Sequence, residues 1–142
     1  MISPVKKSQG FTLVELLIAI AIVAILAAIA YPQYSDSVRK GRRNDGMNAL
    51  LNAAQKLDVF RARTASYTDV PAAANIDTTS LEGYYANLTI SEGACGDIAN
   101  CYTLEIAVTT LDGQNQDVIS GYRLHSNGTK ERNQGGWIAG WK

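Results

Sequence analysis

The sequence has little of the chemistry that enzymes and metal sites require. Its 142 residues include one histidine, His125, and two cysteines, Cys95 and Cys101. A zinc site needs four ligands, usually cysteine and histidine, and these three residues are too few to build one. There is no glycine-rich phosphate-binding loop, and the Asp-Gly and Asn-Gly pairs at 112–113 and 127–128 are turn signals rather than calcium loops. We therefore predict no enzyme activity, no metal and no cofactor.

The chain also lacks an excess of charge of either sign. Thirteen basic and 13 acidic residues give a formal net charge of zero. Proteins that bind nucleic acids usually carry an excess of basic residues, so the net charge gives no indication of DNA binding. Arg61, Arg63 and Tyr67 form a basic and aromatic group that could contact DNA or a partner. A solvated helix end is the commoner explanation of such a group.

Charged residues are absent from a long apolar run near the start of the chain. Between Leu16 and Tyr31 there is no charged side chain, no glycine and no proline. Counted from Phe11 to Tyr31 the segment is 21 residues, about 31 Å as a helix, which matches the thickness of a bilayer core. Glu15 lies inside its first turn. A carboxylate at membrane depth costs about 2.5–3.5 kcal/mol on insertion scales, so we expect Glu15 to have a partner.

Together the periodicities predict an α+β fold, with a long N-terminal helix packed on a small antiparallel β-sheet. The helix is predicted from about Phe11 to Arg63, apolar in its first half and kinked or loosened at Pro32. Its second half carries an apolar stripe at spacings of three and four residues. The stripe consists of Met47, Leu50, Leu51, Ala54, Leu57 and Phe60. Gly41 and Gly46 should make the span before this stripe pliable.

Four later segments have the pattern of β-strands. The predicted strands are Tyr84–Ile90, Tyr102–Thr110, Val118–His125 and Thr129–Arg132. The second is the clearest, because apolar and polar residues alternate along it. An Asn-Gly pair predicts a tight turn before the last strand, and residues 64–83 have the composition of a surface loop. Trp137 and Trp141 in the tail are expected to cover a sheet edge or the helix.

Two further features concern the predicted globular part. Cys95 and Cys101 lie close together in sequence, and in an exported domain such a pair favours a disulfide over two free thiols. The basic cluster Arg39–Arg43 follows the apolar run on what would be its outer side, against the positive-inside tendency. Its side chains are expected to form a solvated helix face or to pair with acids of neighbouring subunits.

The first 32 residues resemble the N-terminus of type IV pilins and of the related pseudopilins. The resemblance rests on the run KKSQGFTLVELLIAI, on the unbroken apolar helix and on Tyr31-Pro32. It implies a leader peptide at residues 1–10, a transmembrane and filament-core helix at residues 11–32, and a globular pilin head at residues 33–142.

The resemblance also implies a set of N-terminal site residues. A prepilin peptidase is expected to cut between Gly10 and Phe11, after which Phe11 is N-methylated. Glu15 is then expected to pair with the Phe11 amine of a neighbouring subunit. Such a pair is physically reasonable, because two poorly solvated charges recover much of their desolvation cost when they meet. It would also fix the axial register, as polar residues do in coiled coils.

On this basis the chain is expected to be a structural subunit of a type IV pilus that serves motility, adhesion or DNA uptake. It would cross the bacterial inner membrane once before assembly and then stand in a pilus on the cell surface. The expected partners are other pilin subunits, the prepilin peptidase, the inner-membrane assembly machinery and membrane lipid.

Two alternatives remain open. The chain could be a pseudopilin of a type II secretion system, since the N-terminal motif is common to both groups. Alternatively, Ala28-Ile29-Ala30 has the small-x-small form of an ordinary secretory cleavage site. Cutting after Ala30 would release a soluble binding domain that begins at Tyr31.

Overall fold

The structure is a computed structural model that describes residues 10–141. The leader predicted at residues 1–10 therefore lies outside the described residues, apart from Gly10. The chain divides into two compact units, Met1–Ser37 and Val38–Lys142.

A single helix, α1, spans Leu13–Thr64 and confirms the long N-terminal helix. It ends where Ala65 adopts a left-handed conformation (φ 64°) and donates its N–H to the Arg61 carbonyl at 2.8 Å, an αL cap. Pro32 lies inside α1, and the helix continues beyond it. Proline has no N–H to donate to the carbonyl four residues earlier, which is why a kink is expected at Pro32. The kink itself stays a prediction.

Five antiparallel strands form one sheet in the order β1-β2-β3-β4-β5. The strands are β1 Tyr85–Glu92, β2 Tyr102–Val108, β3 Gly121–His125, β4 Lys130–Asn133 and β5 Trp137–Ala139. Short 3₁₀ helices at Pro71–Ala74 and Leu111–Gln116 interrupt the connecting loops. The α+β fold with a small antiparallel sheet is thus confirmed.

Apart from shifts of one or two residues at strand ends, the structure differs from the prediction in two strands and one loop. The strand predicted at Val118–His125 begins only at Gly121, because Asp117 is held by the helix and residues 118–120 belong to its loop. The fifth strand, which contains Trp137, was not predicted. The surface loop predicted at residues 64–83 contains one 3₁₀ turn.

The core of the head lies between the second half of α1 and the sheet. From the helix, Leu50, Ala53 and Leu57 are buried, at 0%, 2% and 0% exposure. From the sheet, the fully buried side chains are Tyr85, Leu104, Ile106 and Tyr122. The predicted stripe is therefore correct in its main positions. Ala53 is the buried alanine, however, while Leu51 stands 39% exposed at the edge of the stripe.

Gly46 is a packing position rather than a point of flexibility. A Cβ at this residue would lie 2.6–2.8 Å from three atoms of the Tyr85 ring, so the ring approaches the helix backbone directly. At Gly41 no atom lies within 4 Å of such a Cβ. The two glycines predicted to loosen the helix thus have different surroundings.

The disulfide between Cys95 and Cys101 is present and confirms the expected bridge. It lies in the loop that joins β1 to β2, where Gly93 packs against the bridge. A Cβ at Gly93 would lie 2.7 Å from the Cys101 sulfur. The bridge therefore pins a local loop rather than joining distant elements.

Candidate functional site

The N-terminal site is organised by a capping box at the start of α1. The Glu15 N–H donates to Thr12 Oγ1 at 3.2 Å, and the Thr12 N–H donates to Glu15 Oε2 at 3.5 Å. These reciprocal bonds satisfy two backbone donors that a helix start leaves free. They explain why α1 begins at Leu13 rather than at Phe11. The Thr-x-x-Glu spacing is the sequence signal of this motif, and our sequence analysis missed it.

Beyond the cap, the first half of α1 is apolar on all sides and has no cover of its own. Its eleven large aliphatic side chains between Leu13 and Ile29 are 52–73% exposed, and Phe11 is 87% exposed. The most apolar window of α1 has a mean hydropathy of 3.0, and none of it is buried. By length and composition this helix can cross a membrane. Monomeric soluble proteins rarely expose so large a continuous apolar surface.

Two residues of the basic cluster, Arg42 and Arg43, pair with acids of their own chain, which corrects for these two the expectation that they would pair with neighbouring subunits or stay solvated. Arg43 makes a two-pronged contact with Asp117, with Nε to Oδ2 at 2.8 Å and Nη2 to Oδ1 at 2.5 Å. Arg42 Nη2 reaches Asp112 Oδ2 at 3.3 Å, and Arg42 Cζ lies 4.3 Å from the centroid of the Tyr84 ring. The α1 segment is thereby fastened to the loop that leads into β3.

The contact between Arg43 and Asp117 favours the charged form of both side chains. The Asp117 side chain is only 4% exposed, and burial alone would raise its pKa. The hydrogen bonds and charge of Arg43 outweigh that effect, so the pKa of Asp117 lies below its ordinary value. The hydrogen bond to Asp117 correspondingly raises the pKa of Arg43.

Gln114 extends the same attachment. Its side chain is fully buried, and its Nε2 donates to the Arg39 carbonyl at 3.1 Å and to Asp117 Oδ2 at 3.3 Å. These partners lie 75 and 3 residues away in sequence. Because most of this network joins distant segments, sequence periodicity gave no sign of it.

Asp45 was likewise missed, although it is 8% exposed and holds the loop before β1. Its carboxylate accepts hydrogen bonds from Ser80 Oγ at 2.5 Å, from the Glu82 N–H at 3.1 Å and from the Tyr84 N–H at 3.2 Å. A buried carboxylate that accepts three such bonds is well stabilised. Asp45 therefore fixes the loop at residues 80–84 against the helix.

His125 sits in a polar row on the open face of the sheet. Its Nδ1 lies 3.0 Å from Thr103 Oγ1, and its Nε2 lies 3.1 Å from Glu131 Oε2. The order hydroxyl, imidazole, carboxylate is that of a nucleophile with its base. However, Thr103 lies on β2, which is paired with a strand on each side. The backbone N–H groups of β2 are therefore engaged in the hydrogen bonds of the sheet and cannot form the oxyanion hole that such a nucleophile needs. The row is a cross-strand ladder.

The described residues hold no group of three or more His, Cys, Asp and Glu side chains that could bind a metal.

Arg61 stacks 4.7 Å over the Tyr67 ring, and Tyr67 donates its hydroxyl to Asp58 Oδ1 at 3.1 Å. Arg61 and Arg63 are exposed near the end of α1. The sequence-predicted basic and aromatic group thus forms in part, around Arg61 and Tyr67.

Two family profiles match the chain. The profile described as "Type IV minor pilin ComP, DNA uptake sequence receptor" covers residues 32–118. The profile described as "Prokaryotic N-terminal methylation motif" covers residues 5–31. The two matches adjoin, so together they cover both the apolar helix and most of the head.

Several curated relatives are fimbrial or pilus proteins. Fimbrial protein EcpC of Eikenella corrodens is 35% identical over 94 residues, which cover 66% of this chain and 60% of that protein. The type IV wide pilus major component PilA4 of Thermus thermophilus is 39% identical over 87 residues, covering 61% and 64%. The type IV major alpha-pilin of Moraxella bovis is 40% identical over 81 residues, covering 54% and 51%. The matched part spans less than two thirds of the length of each of these relatives. With the first profile covering more than half of its length, this chain belongs to the type IV pilin family.

Proposed function

We propose that this chain is a structural subunit of a type IV pilus, anchored in the bacterial inner membrane through residues 11–32 before it enters the filament. The observation that carries this proposal is the apolar first half of α1, whose large aliphatic side chains are all at least 52% exposed. Full burial of one such side chain is worth about 1.5–3 kcal/mol. Eleven of them need cover, which lipid supplies before assembly and neighbouring helices supply in a filament. Pilins are structural proteins rather than enzymes, and nothing in this role requires catalysis.

The N-terminus is the proposed processing and assembly site. A prepilin peptidase cuts between Gly10 and Phe11, and Phe11 is then N-methylated, in keeping with the methylation motif matched at residues 5–31. Cleavage creates an amine with an ordinary pKa near 8 at the start of an apolar helix. Glu15 is exposed, and among the described residues its carboxylate accepts one long hydrogen bond, from the Thr12 N–H. Its carboxylate is therefore available to the Phe11 amine of a neighbouring subunit.

Glu15→Gln tests this assembly role. Glutamine serves a capping box as glutamate does, so the variant keeps the helix cap and loses only the charge. We expect membrane insertion to be retained and the yield of filaments built from the variant to fall at least tenfold, measured by shearing and quantifying surface filaments.

Thr12→Ala is the matched control, because it removes the cap and keeps the Glu15 charge. We expect it to assemble nearly as well as the unsubstituted chain. If Glu15→Gln gives a normal filament yield, or if both variants fail to the same degree, the charge pair is not what sets the register. Since a minor subunit can enter filaments built by another pilin, the unsubstituted chain is first shown to build filaments as the sole pilin, and both variants are then compared with it under the same condition.

Two alternatives to a pilus subunit differ from it in where the chain is cut or in which assembly it supports. A pseudopilin of a type II secretion system would carry the same N-terminus but would support secretion rather than surface pili. A soluble binding domain cut after Ala30 would begin at Tyr31 and lack the apolar helix altogether.

Contact with DNA is a second candidate role, and it rests on the description of the family matched over residues 32–118. The exposed Arg61, stacked on Tyr67, offers a cation beside an aromatic ring, a combination that proteins use to bind single-stranded nucleic acid. Arg63 follows two residues later and is also exposed. In fluorescence anisotropy with labelled duplex DNA at low salt, Arg61→Ala with Arg63→Ala should weaken binding and lower its salt dependence. Lys40→Ala is the single-charge control, and absence of binding by the unsubstituted chain would remove this role.

A further inference from the structure

A groove of about 550 Å³ runs along the head between α1 and the loop before β1. One wall is the helix from Gly41 to Lys56, and the other is the loop at residues 76–82. From Asn44 to Lys56 the helix wall extends about 18 Å. That length accommodates about five residues of extended polypeptide at roughly 3.3 Å each.

The helix wall carries a row of three asparagines, Asn44, Asn48 and Asn52, each four residues from the next. All three are exposed. Within the part of the chain that the structure describes, none of their side chains makes a hydrogen bond. Asparagine is among the weaker helix formers, so this row lowers helix stability without any compensating contact inside the chain. The row therefore presents three exposed amide groups, each with hydrogen-bond donors and an acceptor.

Small residues form part of the lining, and four of its five charged residues are engaged within the chain, with Glu82 as the fifth. Ala49 and Ala53 form part of its lining and leave the floor open. At one end Lys56 pairs with Asp77 at 3.4 Å, and at the other end Arg42 is engaged by Asp112 at 3.3 Å. The Asp45 carboxylate, also in the lining, already accepts three hydrogen bonds from its own chain. The groove therefore offers no unpaired cation to a phosphate or carboxylate and is suited to a polar ligand without negative charge.

We propose that this groove binds an extended polypeptide segment of a partner protein through its main chain. An asparagine amide offers both hydrogen-bond donors and an acceptor, which is what the N–H and C=O of a peptide group require. Four helical residues advance about 6 Å. Alternate residues of an extended strand are about 6.4–6.8 Å apart, so the asparagine row meets every second peptide group in near register.

The opposite wall adds two features that specify the segment. Leu81 is 99% exposed on the loop and supplies an apolar contact for one side chain of the bound chain. Its neighbour Glu82 is an exposed acid in the lining and favours a basic residue at that end. The ligand is thus an extended segment with an apolar residue next to a basic one.

The proposal is tested by selecting peptides from a displayed library of random nonapeptides on the full chain in detergent micelles. Selected peptides, made synthetically, should bind the unsubstituted chain and lose at least tenfold in affinity to a variant with Asn44, Asn48 and Asn52 all changed to Ala. Because alanine is the better helix former, this variant should fold at least as well. Gln55→Ala, an exposed amide outside the groove, is the matched control and should leave the affinity unchanged.

Recognition of the main chain has its own signature. N-methylation of alternate peptide nitrogens removes donors without changing side chains, so one register of methylation should abolish binding while the other is tolerated. If no peptide is enriched, if the triple variant binds equally well, or if both methylation registers bind alike, the groove is not a main-chain binding site. These outcomes leave filament assembly through Glu15 untouched.

Discussion

The two halves of α1 have the same backbone conformation but opposite sources of stability. In the first half, the large aliphatic side chains from Leu13 to Ile29 are 52–73% exposed, and the described part of the chain does not bury them. In the second half, Leu50 and Leu57 are fully buried, and the chain covers them itself. The comparison shows that one helix can carry a continuous exposed apolar surface at one end and core residues at the other.

The largest expected effect comes from truncating one leucine in each half. Leu57→Ala should lower the free energy of unfolding of the head by about 3 kcal/mol, since it removes a fully buried side chain and leaves a cavity. Leu17→Ala, at 52% exposure, should leave that free energy within about 0.5 kcal/mol. Denaturant unfolding in detergent, followed by near-ultraviolet circular dichroism, measures both. Equal losses in the two variants would contradict the division between the halves.

Within the second half, the two glycines sharpen the comparison. Gly46→Ala should destabilise the head by about 1–3 kcal/mol, because its Cβ would overlap the Tyr85 ring. Gly41→Ala meets open space and should stabilise it by about 0.5–1 kcal/mol through helix propensity. The same unfolding measurement distinguishes them by sign. A stabilising Gly46→Ala would mean that the ring does not pack on the helix backbone.

The smallest expected effect is the loss of stability at low pH that comes from the contact between Arg43 on α1 and Asp117 in the loop before β3. The pKa of Asp117 is lowered in the folded state, so its contribution is fully present above the ordinary aspartate pKa near 3.9. It is lost as the pH falls through that value and towards the lower folded pKa. Asp117→Asn should therefore flatten the decline of stability below about pH 4.

Asp77→Asn is the control for this pH effect. The Asp77 side chain is 90% exposed beside Lys56, and an exposed ion pair contributes little. Its substitution should leave the acid limb of the stability profile unchanged. If Asp117→Asn retains the full acid dependence, another carboxylate carries it.

Local pattern was enough to predict the helix, its apolar stripe and the strands near β1, β2 and β4, because these follow from period and turn chemistry. β5 was missed, since three residues flanked by glycines form a strand only by pairing with β4. Asp45 with Ser80 and Arg43 with Asp117 join positions 35 and 74 residues apart, and no local pattern encodes such contacts. The Thr12–Glu15 cap, by contrast, has a local sequence signal, the Thr-x-x-Glu spacing of a capping box.

The measurement that tests the central claim most directly is the intact mass and N-terminal sequence of the mature chain from its native host. We predict a chain that begins at Phe11 and is about 14 Da heavier than its sequence, from one methyl group. Such a chain would present the apolar first half of α1 for assembly. A mature chain that begins at Tyr31 would lack that half entirely and would contradict the account.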